Sequence, residues 1–418
     1  MARCNCACAH LFAKKTGTAE SRPLRVIHVV NPSFGHTFSG PAKPTLRLLR
    51  EWSEPGITLT LWGSDYLSKS IQSNAQFWGT PMHNTRAVRL RWSVRLLWML
   101  LRDRRRYDIV HVHTLWWGGL LAPIVAHLVG RRAIYYMTLL GSDNPSSLAS
   151  QKLGGLKLAC FRQYDGLIGV SKALAEDACE RCSARSLVLP LYVTFPLPDL
   201  NSASRVTHDP AVREKLHIPA TAEVLVFVGS IIERKGVDVL VELFLRLAQE
   251  RNNVWLLLVG ANSVLENPRL DEDFVCTLRK RLSESYLGER VVWTGLIANE
   301  AELVDLYLAS DLFVFPTRAE GLPGVVLEAM GCKLPIVTSN LPNSTDMMVT
   351  SGENGYLVEV DDLAGFEAAV TKLLDDPTLR ERMGAAGRVR VERDFSFEAY
   401  CHKLADFYRQ VAGKRTRT

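Results

Sequence analysis

One alternation constrains this chain more than any other feature. Short apolar runs rich in β-branched residues recur between helix-patterned segments, and the series runs through twice. The first pass is "RVIHVVN" (25–31), "ITLTLWG" (57–63), "YDIVHVHT" (107–114), "RRAIYYMTLL" (131–140), "YDGLIGVS" (164–171) and "SLVLPLYV". The second is "EVLVFVGS" (223–230), "VWLLLVG" (254–260), "RVVWTGL" (290–296), "DLFVFP" (311–316), "PIVTSN" (335–340) and "GYLVE" (355–359). Strands separated by helices cannot pair as hairpins, so they predict parallel sheets with helical crossovers. Between the passes, residues 194–215 are rich in Pro, Ser and Asp and read as a connection. A length of 418 residues also exceeds one ordinary core.

The expected fold is therefore α/β, with two doubly wound parallel-sheet domains facing a cleft. The boundaries read as a tail at 1–22, an N-terminal domain at 23–200, a linker at 201–215 and a C-terminal domain at 216–395. Helices are expected at 363–388 and about 396–413, the last within a segment, 396–418, expected to pack back on the first domain. Sheets of this kind bind ligands beyond the carboxyl ends of their strands.

Bulk properties exclude several functions. The net charge of +6 is mild, and no zinc-finger, RNP or basic-zipper pattern accompanies it, so nucleic acid is not an expected partner. The longest apolar runs, such as "LLWMLL", fall far short of the roughly 18–20 residues that span a bilayer. "MARCNCACAHLFAKK" lacks a signal-peptide core, which predicts a cytoplasmic protein. Nine scattered cysteines fit a reducing compartment. Cys4, Cys6, Cys8 and His10 lack a second ligand pair and read as a tail rather than a zinc site. Cys179 and Cys182 form a CxxC within a helical stretch, which argues against a redox role. The acids "DED" at 271–273 read as the start of a helix, and no metal site is expected.

The segment "RAEGLPGVVLEAMG" (318–331) carries the most chemistry. Pro323 suits a first helical turn, and Gly321 and Gly324 let backbone approach a ligand closely. The N–H groups of Leu322, Gly324 and Val325 would then favour a phosphate. Glu328 shares a helix face with Gly324 and Gly331, and helical side chains lean toward the N-terminus. A carboxylate there can accept two hydrogen bonds from a vicinal diol, and Glu320 can hold hydroxyls on the other side. Diol, diphosphate and hexose together describe a nucleoside-diphosphate sugar. Taken alone, the same acids also fit a helix-entry charge and a solvated surface acid.

These residues resemble the glutamate–seven residues–glutamate motif of retaining family 4 glycosyltransferases with the GT-B fold, whose two domains are Rossmann-like. "VFVGSIIERKGVDVLVE", "WLLLVG", "VVWTGLI", "ELVDLYLASDLFVFPTRAEG", "LPIVTSN" and "NGYLV" follow in that family's order, and "DIVHVHTLWW" and "DGLIGVSKAL" match its looser front-half patterns. The resemblance implies that Glu320 contacts the donor hexose and Glu328 the ribose. It implies that Lys235 of "ERKG" and the backbone of Gly321, Leu322, Pro323 and Gly324 hold the diphosphate, with the base near Gly295, Leu296 and Ile297. The chain departs from the pattern in three places. Ser230 stands where an arginine is frequent, with Arg234 as its substitute. Gly40, after Ser39, is all that remains of a glycine pair. Leu140 replaces a histidine of "TLLGSD" that helps hold the donor sugar. Asp143 or His113 are the candidates to share that role; His111 and His113 face one side of a strand, where a buried, satisfied histidine is also expected.

The resemblance implies hexose transfer from a nucleotide sugar, without cofactor or metal, to a glycan or lipid-linked acceptor in cell-surface polysaccharide assembly. A nucleotide-sugar epimerase or hydrolase, and a non-catalytic nucleotide-sugar-binding relative, are the alternatives. The segment 86–108 packs eight arginines among Trp and Leu in 23 residues. It reads either as a helix packed on the sheet with solvated arginines, or as a peripheral contact with the inner face of the cytoplasmic membrane through 86–106.

Overall fold

The computed structural model describes residues 22–30, 42–64, 75–78, 86–138, 141, 143–182, 184–190, 197–198, 209–267 and 270–413. Seven strands form the first sheet: β1 (Leu24–Val29), β2 (Ile57–Ser64), β3 (Ala75–Trp78), β4 (Ile109–Val112), β5 (Arg132–Met137), β6 (Gly166–Gly169) and β7 (Arg185–Val188). Six form the second: β8 (Glu223–Val228), β9 (Val254–Val259), β10 (Val291–Gly295), β11 (Leu312–Phe315), β12 (Ile336–Ser339) and β13 (Gly355–Val358). Their orders are β3-β2-β1-β4-β5-β6-β7 and β10-β9-β8-β11-β12-β13, with parallel neighbours throughout.

Both are doubly wound α/β sheets of the Rossmann-like type. The chain starts in the middle, builds to one edge, then returns to build the other. The reversal leaves a crevice between β1 and β4 in the first sheet and between β8 and β11 in the second. Helices cover both faces, so central strands such as β4, β11 and β12 are buried along their whole length. That is why their sequences read as continuous apolar runs.

Five helices cover the first sheet before β6: α1 (Ala42–Glu51), α2 (Arg86–Arg102), α3 (Trp117–Leu128), α4 (Pro145–Ser150) and α5 (Gly154–Phe161). After β6 comes α6 (Lys172–Arg181), which carries Cys179; Cys182 follows it, its thiol pushed up to about 11 chiefly by burial. The segment read as linker is partly a helix, α7 (Pro210–Lys215), and it belongs to the second domain. Its Arg213 is buried, donating to Asp311 Oδ2 at 3.0 Å and to the carbonyls of Ala309, Ala220 and Ala222.

In the second domain α8 (Val237–Glu250), α9 (Glu272–Glu284), α10 (Glu300–Leu308) and α11 (Gly324–Gly331) alternate with the strands. Asp271 of the "DED" run caps α9, accepting from the N–H groups of Asp273 and Phe274. The helix expected over 363–388 is two helices, α12 (Leu363–Asp375) and α13 (Pro377–Asp394). Pro377 cannot donate to the preceding turn, so it starts a new helix capped by Asp376. The last helix, α14 (Phe397–Ala412), crosses back and lies on the first sheet. Phe407 and Val411 come within 3.0–3.1 Å of where a Cβ at Gly166 would stand, and Arg409 reaches the Pro55 carbonyl. Among the described residues no helix is long and apolar enough to cross a membrane.

Candidate functional site

The crevice of the second sheet gathers most of the residues singled out in the sequence. The loop leaving β8 makes a 3₁₀ turn, Glu233–Lys235, closed by Gly236 at φ 68°. A side chain at Gly236 would collide with the Pro316 carbonyl of the loop leaving β11, so glycine is required there. The two loops are then sewn together: Arg318 N–H and Thr317 Oγ1 both donate to the Arg234 carbonyl, at 2.9 and 3.2 Å.

This sewing places three charged side chains in contact. Glu320 Oε1 accepts from Arg234 at 2.9 Å and from Lys235, and lies 3.3 Å from the Thr317 hydroxyl, whose one proton it shares with the Arg234 carbonyl. Lys235 Nζ also sits 4.8 Å from the centre of the Phe315 ring. Both Glu320 and Lys235 are largely buried, at 11% and 14% side-chain exposure, so their interaction is not a solvated surface pair. Burial lowers the Lys235 ammonium below its ordinary range; Glu320 opposes that fall and Arg234 adds to it. The pocket thus concentrates two cations around one carboxylate at the carboxyl ends of β8 and β11.

Pro323, expected within the first helical turn, stands instead at the N-cap of α11, one position before its first residue Gly324, and gives the first-turn N–H groups no side-chain acceptor. Beside Gly324 nothing lies within 4 Å of where a Cβ would stand. Glu328, one turn into α11, is only 3% exposed. Its Oε2 accepts a hydrogen bond from the Tyr307 hydroxyl of α10 at 3.0 Å. Burial first, and then the Glu328 charge, push the Tyr307 phenol well above its ordinary range, so it stays a donor. Neither Glu320 nor Glu328 lies on the outer surface.

Gly295 ends β10 and Leu296 and Ile297 follow it, two strands away from the crevice. Gly295 has φ 70°, and its carbonyl accepts from Gly260 N–H at 2.9 Å. Glu266 holds this corner: its carboxylate accepts from Leu296 N–H at 3.1 Å and from Asn262 N–H at 2.9 Å. Sequence reading missed Glu266, Tyr307 and Thr317. All three act through contacts between distant segments, and no local spacing marks such contacts.

Gly321 is where the two domains touch. A Cβ there would strike the Thr138 carbonyl beyond β5 and approach Val170 Cγ2 at 3.4 Å. Asp143 fixes that facing segment, accepting from both the N–H and the hydroxyl of Thr138 at 2.8 Å. Gly40 and Leu140 lie outside the described residues. His113 joins a different group: with His28 and His111 it forms a buried cluster under Tyr408 of α14. Burial pushes the His113 imidazole down to about 3.

Two family models match the chain, "Glycosyl transferases group 1" over residues 209–390 and "Glycosyltransferase Family 4" over 38–190. Among curated proteins it is 31% identical to the capsular polysaccharide biosynthesis glycosyltransferase CapM of Staphylococcus aureus over 44% of this chain and 45% of that one. It is 25% identical to N-acetyl-alpha-D-glucosaminyl L-malate synthase of Bacillus anthracis over 74% of this chain and 76% of that one. The chain therefore spans less than half of the first relative and about three quarters of the second. Among solved structures, sucrose-phosphate synthase of Thermosynechococcus elongatus superposes with TM-score 0.74 at 18% identity, covering 93% of this chain and 99% of that one. HepE of Anabaena in complex with UDP-glucose gives 0.73 at 16%, covering 93% and 100%. At these identities the structural likeness speaks for the fold.

Proposed function

The chain belongs to the glycosyltransferases of the group 1, family 4 type built on the GT-B arrangement, and from that premise we propose that it moves a hexose, with retention, from a nucleoside-diphosphate sugar to a glycan or lipid-linked acceptor in cell-surface polysaccharide assembly. The observation that carries this reading is the Glu320–Lys235–Arg234 cluster at the crevice between β8 and β11. Two cations held by a single carboxylate are an anion site with an internal occupant. A donor diphosphate brings more negative charge than Glu320 and takes over Lys235 and Arg234. Glu320 is then released toward the hexose hydroxyls, and Glu328, held by Tyr307, faces the ribose diol.

In transfer, the glycosidic bond to the diphosphate breaks as positive charge grows on the sugar ring. Lys235, Arg234 and the first-turn N–H groups of α11 are already in place where the leaving diphosphate becomes more negative. Those cations neutralise the departing group, so the proposed reaction runs without a metal or cofactor at this site. The base lies against Gly295, Leu296 and Ile297, at the corner that Glu266 holds. HepE was crystallised with UDP-glucose, which supports a nucleotide-sugar donor here. CapM, a capsular polysaccharide enzyme, supports a cell-surface glycan as the destination.

The acceptor side of this reading is a cytoplasmic membrane face. α2 buries Val88, Trp92, Leu96, Met99 and Leu100, yet it also exposes Leu90, Val94, Trp98 and Leu101 along a second stripe. The Arg102 guanidinium lies over the Trp98 ring, 4.4 Å from its centre. An apolar stripe flanked by arginines fits an anionic lipid surface.

The deciding experiment mixes the protein with labelled nucleotide sugars and membrane lipid extract. Label passing into lipid or glycan supports the proposal. Donor altered without transfer points to an epimerase or hydrolase, and binding without turnover to a non-catalytic relative; either result overturns it.

A further inference from the structure

The donor crevice does not use the histidine cluster of the first sheet. His28 on β1 and His111 on β4 are cross-strand partners, and His113 stands two residues further on the same face. A parallel sheet covered by a helix has apolar side chains at such positions. Here three imidazoles crowd together instead, with ring centres 4.5–5.2 Å apart. One nitrogen from each ring can be chosen so that all three lie within 4.8 Å of one another.

Hydrogen-bond bookkeeping shows that the cluster is incomplete as a purely polar network. The contacts run in a chain. His113 Nε2 meets His28 Nδ1 at 3.0 Å, His28 Nε2 meets the Tyr408 hydroxyl at 3.1 Å, and that hydroxyl meets His111 Nδ1 at 2.7 Å. Each neutral imidazole carries one N–H, and the tyrosine one O–H. Three contacts therefore consume three of four protons, in whichever direction the chain is read. One end is left with an unmatched donor and the other with an unmatched lone pair. His113 Nδ1 and His111 Nε2 are those ends, and both are buried without a partner. Buried, unmatched polar atoms are rare in folded proteins and ask for a missing ligand.

We propose that His28, His111 and His113 form a three-imidazole site for one divalent transition-metal ion of the zinc class, oriented by Tyr408. The ion takes His28 Nδ1, His113 Nε2 and, of the two open ends, His111 Nε2; the other open end, His113 Nδ1, then carries that ring's proton. Tetrahedral bonds of about 2.0–2.1 Å set ligand nitrogens roughly 3.4 Å apart, so nitrogens now within 4.8 Å of one another draw together around the ion. The protons of His28 and His111 then sit on the far nitrogens, the two atoms that the Tyr408 hydroxyl touches. Such outer partners fix the tautomer and aim the ring. Imidazole ligands select Zn²⁺, Co²⁺ or Ni²⁺ over Mg²⁺ or Ca²⁺, which want oxygen. The site spans β1, β4 and, through Tyr408, α14, so its occupant clamps the returning last helix onto the first domain. It is independent of the donor crevice.

The test uses the full chain, freed of metal and tag, with Cys4, Cys6 and Cys8 replaced by serine so that tail thiols cannot contribute. Titration with Co²⁺ is expected to saturate at one equivalent, with visible bands of a low-symmetry imidazole site and no thiolate charge transfer, and to raise the thermal midpoint. His111→Ala should abolish the bands. Tyr408→Phe should keep them and weaken binding about 10–100-fold, as loss of an outer partner does. If His111→Ala does not fold by circular dichroism, His113→Asn, at the edge of the cluster, supplies the same readout. No Co²⁺ uptake by the folded parent, or uptake unchanged in the histidine variant, overturns the proposal.

Discussion

The Tyr307 hydroxyl donates to Glu328 Oε2 across 3.0 Å of buried space between α10 and α11. A carboxylate this deep is oriented before any ligand arrives, because its position is set by a neighbouring helix and not by solvent. If Glu328 binds the ribose diol, its loss removes charge-assisted hydrogen bonds of about 1.5–3 kcal/mol each. Glu328→Ala should then weaken nucleoside-diphosphate binding by roughly 10–100-fold. Tyr307→Phe, which leaves the acid but frees it to turn, should cost less. Calorimetry with a panel of nucleoside diphosphates reads both; unchanged affinity in Glu328→Ala would remove the ribose role.

Lys235 is expected to act differently. If its ammonium opposes charge that grows on the leaving diphosphate, as proposed, its removal should depress kcat more than binding. Lys235→Ala should lower kcat by about 10²–10³-fold, the usual cost of one preorganised donor at developing charge. A variant that lost donor affinity but kept kcat would show that Lys235 only holds the ground state.

How much of this could be read from the sequence follows from where the information lies. Strands such as "DLFVFP" were legible because burial on both faces writes itself as an unbroken apolar run. The short edge strand β3 was not, since four residues with no helix-like spacing around them carry little signal. α7 was hidden inside a Pro- and Ser-rich stretch, and only the burial of Arg213 shows which domain owns it. Glu320, Glu328 and Lys235 stood out through local spacing and resemblance. Tyr307 and Glu266 did not, because their roles arise from segments 21 and 30 residues away. The histidine cluster needed Tyr408, which lies 380 residues from His28.

Arg213 and Asp311 form an ion pair with side-chain exposures of 2% and 5%. The pair also satisfies three carbonyls and the Val224 N–H. Arg213→Met leaves Asp311 buried with its main counter-charge gone, which typically costs about 3–5 kcal/mol. In a domain of this size that corresponds to a fall of about 10 °C in thermal midpoint. Differential scanning calorimetry checks it, and a fall no larger than that of an exposed control such as Arg382→Met would show that the pair is not structural.

The exposed stripe of α2 gives a test of the membrane reading. Near an anionic surface each arginine contributes about 1 kcal/mol, so replacing several should act steeply. Arg102, Arg104, Arg105 and Arg106 changed together to Ser should sharply reduce co-sedimentation with phosphatidylglycerol-containing vesicles. Leu90→Ser with Trp98→Ser should reduce it without altering charge. Sedimentation unchanged in both variants would leave α2 as an ordinary packed helix.

Gly321 offers a way to separate closure from chemistry. It carries no charge and holds no partner, yet a Cβ at that position meets the Thr138 carbonyl across the cleft. Backbone on both sides is pinned, by Asp143 beneath Thr138 and by the loop contacts of Arg234 beneath Thr317. Neither side can yield by rotating a flexible side chain, so the added methyl must push the domains apart. The fold of each domain is untouched, because the clash lies between them. Gly321→Ala is therefore expected to lower kcat while leaving the thermal midpoint nearly unchanged, and to increase the radius of gyration seen by X-ray scattering. Full activity with an unchanged radius would mean that this contact is not part of the closed, working arrangement.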